Sequence, residues 1–177
     1  MKKTIAATLI LAGALTLSAA PAIDGFGKIT PSGNLAEWTL NMSPAQAKTI
    51  KITPVKNEAG QVVVTVDGTA FQKNVPLRHA KGILCKAGDK IVVTFDVKTA
   101  GSIKVSLHKY GDKGLMPSQT QAFRLMNRKT SVKFEFVLTE PAGNKLFRVN
   151  PVLEFPGKVV STAENLKIEL IPAAEQK

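Results

Sequence analysis

The side chains with the most chemical reach in this chain are His79, His108, Tyr110, Cys85 and four arginines, Arg78, Arg124, Arg128 and Arg148. His108 and Tyr110 lie two residues apart in an alternating stretch, so in an extended strand they share a face. Such a pair could serve as the acid and base of a lyase, but lining a surface is the commoner use of either residue. His79 and His108 lack the spacing of a metal-ligand pair. Cys85 follows Gly82-Ile83-Leu84, an apolar run that favours a buried, inert thiol; a nucleophile would need a base beside it. Glu135 and Glu154 are the candidate carboxylate pair for glycoside hydrolysis, although a strand glutamate more often balances a cross-strand Lys or Arg. No Gly-x-Ser-x-Gly elbow and no glycine-rich phosphate loop occurs. Lysine dominates the basic residues. Arginine's planar fork suits carboxylate recognition better than an ammonium does, so the arginine positions carry more weight.

The elements that must position these residues read as strands. In residues 88–111, Ile91, Val93, Phe95 and Val97 alternate with Val92, Thr94, Asp96 and Lys98. After Thr99-Ala100-Gly101-Ser102, Ile103, Val105 and Leu107 alternate with Lys104, Ser106, His108 and Tyr110. Two such runs joined by a short Gly-containing link predict a β-hairpin. Its second strand presents a polar face that ends in His108 and Tyr110. Earlier in the chain, Trp38-Thr39-Leu40 is a short strand, and Ile50 and Ile52 mark one that Pro54 confines to an edge or an end. Val62, Val64 and Val66 follow. Residues 70–87 read as a short strand, a polar loop and another short strand, with Pro76, Arg78, His79 and Lys81-Gly82 interrupting the apolar residues. Residues 112–129 are the longest irregular stretch, with an edge strand over 121–125 as the alternative. Val132, Phe134, Phe136 and Leu138 form the next strand, and a turn follows at 140–144. Phe147, Val149, Leu153 and Phe155 share one parity, broken by Pro151, while Arg148, Asn150 and Glu154 take the other. Leu166, Ile168 and Leu170 close the fold. No helical period is sustained after residue 22, and eight or more short strands predict an all-β sandwich.

Residues 1–22 have the form of an export signal: Lys2 and Lys3, an apolar run over 5–17, then Ala20-Pro21-Ala22. The run is too short to span a membrane. The expected organisation is a signal peptide at 1–22, one domain over 23–172 and a loose tail at 173–177. The chain carries 24 basic and 13 acidic residues. The signal holds two of the lysines and no acid, so the expected mature chain keeps a formal charge of +9. For a periplasmic or secreted protein this points to anionic polysaccharide or envelope surfaces rather than nucleic acid. The one cysteine excludes an internal disulfide.

The order of segments resembles the jelly-roll carbohydrate-binding modules of the CBM4/9 (CenC-type) group, within the galactose-binding-like sandwiches. The matching pieces are Asp24-Gly25-Phe26, Trp38, the stretch from Gly88 through Ile91-Val92-Val93-Thr94-Phe95 to Ala100, and Asn165-Leu166-Lys167-Ile168-Glu169-Leu170. Ile91 stands where the group has a strand tyrosine, and Asn165 where it has an aspartate. The resemblance implies a jelly-roll β-sandwich of two antiparallel sheets, a monomer, and a polysaccharide or glycan partner. Members of the group often hold a structural calcium through acids near the two termini. Asp24 and Glu164 are a thin set for an ion that takes six or more oxygens, so the expected cofactor is none. The expected ligand-binding residues are Arg78, His79, Lys104, His108, Tyr110 and Arg148, with the tyrosine stacking on a sugar and the cations pairing with acidic substituents. The expected function is non-catalytic carbohydrate binding. An envelope structural or adaptor protein of the same fold is the alternative, and a polysaccharide lyase or hydrolase the third.

Overall fold

The structure is a computed structural model that describes residues 21–139 and 146–173. The expected export signal lies outside these residues except for Pro21 and Ala22. So do the turn expected at 140–144 and all of the expected tail but Ala173.

Twelve strands and one short helical turn are described: β1 Ile23–Asp24, β2 Trp38–Leu40, α1 Pro44–Ala47, β3 Lys51–Lys56, β4 Val62–Asp67, β5 Val75–His79, β6 Ile83–Cys85, β7 Lys90–Lys98, β8 Ala100–Gly111, β9 Gly114–Met126, β10 Thr130–Val137, β11 Phe147–Phe155 and β12 Val160–Ile171. They make two antiparallel sheets. The first runs β10-β7-β12-β4-β3, with β1 on β12; the second runs β2-β5-β11-β8-β9, with β6 on β11. The fold is the β-sandwich the strand pattern predicts, with the jelly-roll form that the resemblance implies. Pro54 sits in β3, an edge strand, where its missing N–H is tolerated.

The core lies between the sheets because each strand buries one parity. From the first sheet come Ile91, Val93, Phe95 and Val97 of β7 with Val132, Phe134 and Phe136 of β10; from the second come Ile103, Val105 and Leu107 of β8 with Val149, Leu153 and Phe155 of β11. Phe95 and Phe134 stack at 6.2 Å. Burying each such side chain stabilises the fold by about 1.5–3 kcal/mol. Cys85 is buried, as expected.

Three sequence expectations need correction. β7 and β8 are not a hairpin. β7 pairs β10 and β12, while β8 pairs β11 and β9. Only Thr99 links them, and the chain crosses there from one sheet to the other. Thr99 is fully buried, its hydroxyl 2.7 Å from that of Ser161, and Gly101 takes a φ of 113° that a side chain would resist. Alternation shows that a face is buried; it does not show which strand lies beside it. Second, residues 112–129 are not irregular. β9 pairs β8 along its length through the two-residue turn Asp112-Lys113, and the alternative of an edge strand is the one realised. Nearly all of β9 is exposed on both faces, so no alternation betrays it. Third, β12 begins at Val160. A bulge between Glu164 and Lys167, with Asn165 at φ 55°, shifts the parity and hides the first half of the strand.

β11 runs through Pro151 without a break. It pairs β6 up to Val149 and β5 from Val152 onward, so Asn150 and Pro151 fall in the gap between the two. The Asn150 side chain fills that gap, donating to the His79 carbonyl at 3.0 Å and the Ala80 carbonyl at 3.3 Å.

Candidate functional site

Alternation on β8 turns Lys104, Ser106, His108 and Tyr110 away from the core, and on β11 it does the same for Arg148, Asn150, Val152 and Glu154. Register then sets Arg148 opposite Tyr110, Asn150 opposite His108, Val152 opposite Ser106 and Glu154 opposite Lys104. β5 adds Arg78 opposite Val152, and β6 adds Leu84 opposite Arg148. β9 adds Leu115 opposite Tyr110 and Thr120 opposite Ser106. Five of the six expected ligand-binding residues thus share the outer face of the second sheet.

The face has two halves. Around Glu154 it is closed by its own hydrogen bonds: Ser106 donates to Oε1 at 2.6 Å, Asn74 donates to Oε2 at 3.4 Å, and the Ser106 and Thr120 hydroxyls meet at 2.8 Å. Lys104 belongs to this half. The other half is open. A cavity of about 600 Å³ is lined there by Arg78, Leu84, Tyr110, Asp112, Arg148 and Asn150, among others. Its volume falls in the range of sites that hold small ligands.

The cavity brings together two arginines and one acid, Asp112. Among the described residues, lysines make the ion pairs, with Glu37, Glu135, Glu164 and Glu169; neither Arg78 nor Arg148 joins one. Arg78 Nε is buried without an acceptor, a state that costs free energy until something supplies one. Arg148 is exposed, and its stem lies over Gly82, where there is no Cβ to displace it. His108 stands between the arginines and Glu154. Burial, and then the Arg78 charge, hold its imidazole below the usual range, against the opposing pull of Glu154. The site therefore presents two unpaired guanidinium groups, a neutral imidazole near pH 7 and one phenol ring.

His79 is the expected residue that the structure places elsewhere. It follows Arg78 on β5, so alternation sends its ring inward, where it is 3% exposed. The ring meets Trp38 edge-on at 5.0 Å, and Nδ1 lies 2.7 Å from the Lys81 carbonyl. Trp38 is a core anchor as well, 5.7 Å from Phe26. The carboxylate pair fails on geometry: Glu135 belongs to β10 of the first sheet, balanced by Lys133 at 2.5 Å and Lys90 at 3.5 Å, whereas Glu154 lies on β11 of the second. The acids that the resemblance would offer to calcium are Asp24 and Glu164. Glu164 is ion-paired with Lys129, and among the described residues no three His, Cys, Asp or Glu side chains converge.

Asn150, Asp112 and Gly82 are parts of the site that were not expected. The parity of Asn150 with Arg148 pointed to the first; the turn Gly111-Asp112-Lys113-Gly114, a hairpin signal, pointed to the second. Nothing in the sequence singles out Gly82.

No family model and no curated protein matches the chain in sequence. Solved structures match its fold. The CBM22-1–GH10 modules of Clostridium thermocellum endo-1,4-β-D-xylanase 10B, complexed with xylohexaose, align at a TM-score of 0.57 and 13% identity, over 86% of this chain and 29% of that one. The Stig cyclase FisC from Fischerella sp. TAU, in complex with an indole compound, aligns at 0.55 and 14%, over 90% and 93%. An arabinose-bound GH51 α-L-arabinofuranosidase aligns at 0.54 and 12%, over 82% and 25%. This chain thus spans about a quarter of the arabinofuranosidase. At these identities the likeness is one of fold: a β-sandwich of the type found in carbohydrate-binding modules. Among the described residues no helix is long and apolar enough to cross a membrane.

Proposed function

We propose that this chain is an exported, non-catalytic carbohydrate-binding module of the CBM4/9 kind, monomeric, periplasmic or secreted, and directed to an acidic polysaccharide. Arg78 and Arg148 pair with its carboxylates, Tyr110 stacks on a sugar ring, and Asn150 lines the floor with His108 opposite it in register. Lys104 adds charge further along the face, and His79 supports β5 from beneath. The observation that carries this reading is the cavity itself: two arginines without acidic partners flank the chain's one tyrosine on a single sheet face.

Titration calorimetry against uronate-containing, sulfated and neutral polysaccharides tests it. Tyr110→Ala should weaken binding at every salt concentration. Arg148→Ala and Lys104→Ala should weaken it mainly at low salt, because the Debye length falls from about 10 Å at 0.1 M to about 3 Å at 1 M. If no polysaccharide binds at low salt, the reading fails and a structural or adaptor role replaces it. A second reading, small-molecule catalysis in the same cavity, is favoured by one observation: the alignment with a cyclase covers nearly all of both chains. Turnover of an added aromatic substrate, lost in His108→Ala, would support it.

A further inference from the structure

The cavity is not built for a plain uronate alone. Leu84 and Leu146 line it, 63% and 54% exposed, and Leu115, 68% exposed, stands opposite Tyr110 on the same face. No other leucine among the described residues is as exposed, and all three stand at this end of the second sheet. Leu84, Arg148, Tyr110 and Leu115 form one transverse row across β6, β11, β8 and β9. Exposed apolar side chains scattered singly need no account, but a cluster at the mouth of a polar cavity marks a contact surface.

Two chemistries therefore meet within one row. The arginines call for an anion, and the leucines call for an apolar group held close to it. A sugar hydroxyl accepts from a guanidinium but brings neither the negative charge nor the apolar group. A carboxylated sugar whose hydroxyls carry short acyl esters suits both: the carboxylate meets Arg148 and Arg78, and the acyl methyl seats against Leu84 and Leu146. Asp112, at the rim, accepts from the hydroxyls that remain free. Resting on the acidic-polysaccharide reading above, we infer that the site selects an acyl-substituted uronate chain over the same chain stripped of its esters.

The test uses the full chain and two probes, O-acetylated alginate and the same alginate after alkaline deacetylation, compared by titration calorimetry at one salt concentration. Burying one methyl group favours the acetylated form by about fourfold per seated acetyl. In Leu84→Ser and Leu146→Ser the ratio of the two affinities should fall toward one. Both leucines are exposed, so an unchanged melting temperature would show that the fold is intact. Equal affinity of the wild-type protein for the two probes would overturn this inference and leave the uronate reading standing. Failure to bind either probe would overturn this inference, and the acidic-polysaccharide reading with it if the other uronate-containing, sulfated and neutral chains also fail to bind. An acetyl preference undiminished in the two leucine variants would also overturn it, because the leucines would then not be what reads the ester.

Discussion

Gly82→Ala should disable the site without harming the fold. A Cβ built on Gly82 would lie 1.9 Å from Arg148 Cγ, 2.2 Å from Arg148 Cδ and 3.1 Å from Asn150 Oδ1, against 3.4–4 Å for ordinary contact. The Arg148 stem must therefore retreat by about 1.5 Å, and if this holds a χ angle about 30° off its rotamer the cost is about 0.5–1.5 kcal/mol. Gly82 does not occupy the left-handed region, so alanine fits its backbone and recovers about 0.4–1 kcal/mol from the unfolded state. The two terms nearly cancel, and the melting temperature should stay close to that of the wild type. Binding should not. A charge-assisted hydrogen bond contributes about 1.5–3 kcal/mol, so swinging the Arg148 guanidinium out of the cavity should lower affinity by about tenfold to 150-fold. Calorimetric titration of an acidic polysaccharide, run beside thermal denaturation, measures both. The reasoning is refuted if Gly82→Ala binds like the wild type while Arg148→Ala does not, since the stem's seat on Gly82 would then be irrelevant to where its charge goes.

Three further outcomes concern the scaffold. Phe95, 2% exposed and stacked on Phe134, should cost about 3–5 kcal/mol as Phe95→Ala, read from the denaturation midpoint. Asp89 is buried and accepts from the Lys86 and Ala173 amides at 2.9 and 3.1 Å; Asp89→Ala strands both donors and should cost about 1–3 kcal/mol each in equilibrium unfolding. His108 is held below its ordinary value of 6.5 in the fold, so the unfolded chain binds the extra proton first; stability should fall as pH drops below about 6.5 and until the folded imidazole itself titrates. His108→Gln should flatten that part of the profile. The carboxylates held low in the fold, such as Glu37 beside Lys81 and Asp96 beside Ser131 and Asn165, lose their contribution only at more acidic pH.

Much of the architecture could be read from parity alone, and the misreadings share one cause. Where a strand has one buried face, as in β4, β7, β8 and β10, the sequence alternates and the strand is visible. Where a strand is exposed on both faces, as in β9, or shifts phase at a bulge, as in β12 at Asn165, alternation is lost although the backbone pairs as well as elsewhere. Pairing partners are less legible still. The link at Thr99 is short enough for a hairpin but lacks the Asn-Gly or Asp-Gly pair that a tight turn favours. The turn at Asp112-Lys113, bounded by Gly111 and Gly114, was the better hairpin signal.

The site shows the same division between what one strand determines and what register adds. Parity on β8 alone puts Lys104, His108 and Tyr110 on one side, and parity on β11 puts Arg148 there. It also separates Arg78 from His79: adjacent residues of one strand must face opposite ways, so only one of them could reach the surface. That Arg148 comes to lie beside Tyr110, with Arg78 two rows away and the Asn150–His108 pair between, follows from pairings among strands far apart in sequence. The division of the face into a closed half around Glu154 and an open half around Arg148 follows from those pairings too. Glu154 is neighbour to Ser106 and Asn74, which satisfy it. Arg148 is neighbour to Leu84 and Tyr110, neither of which carries a charge to balance it. The buried Arg78 Nε that lacks an acceptor beside an open cavity, rather than any single residue type, is what marks this end of the sheet as the place where a ligand belongs.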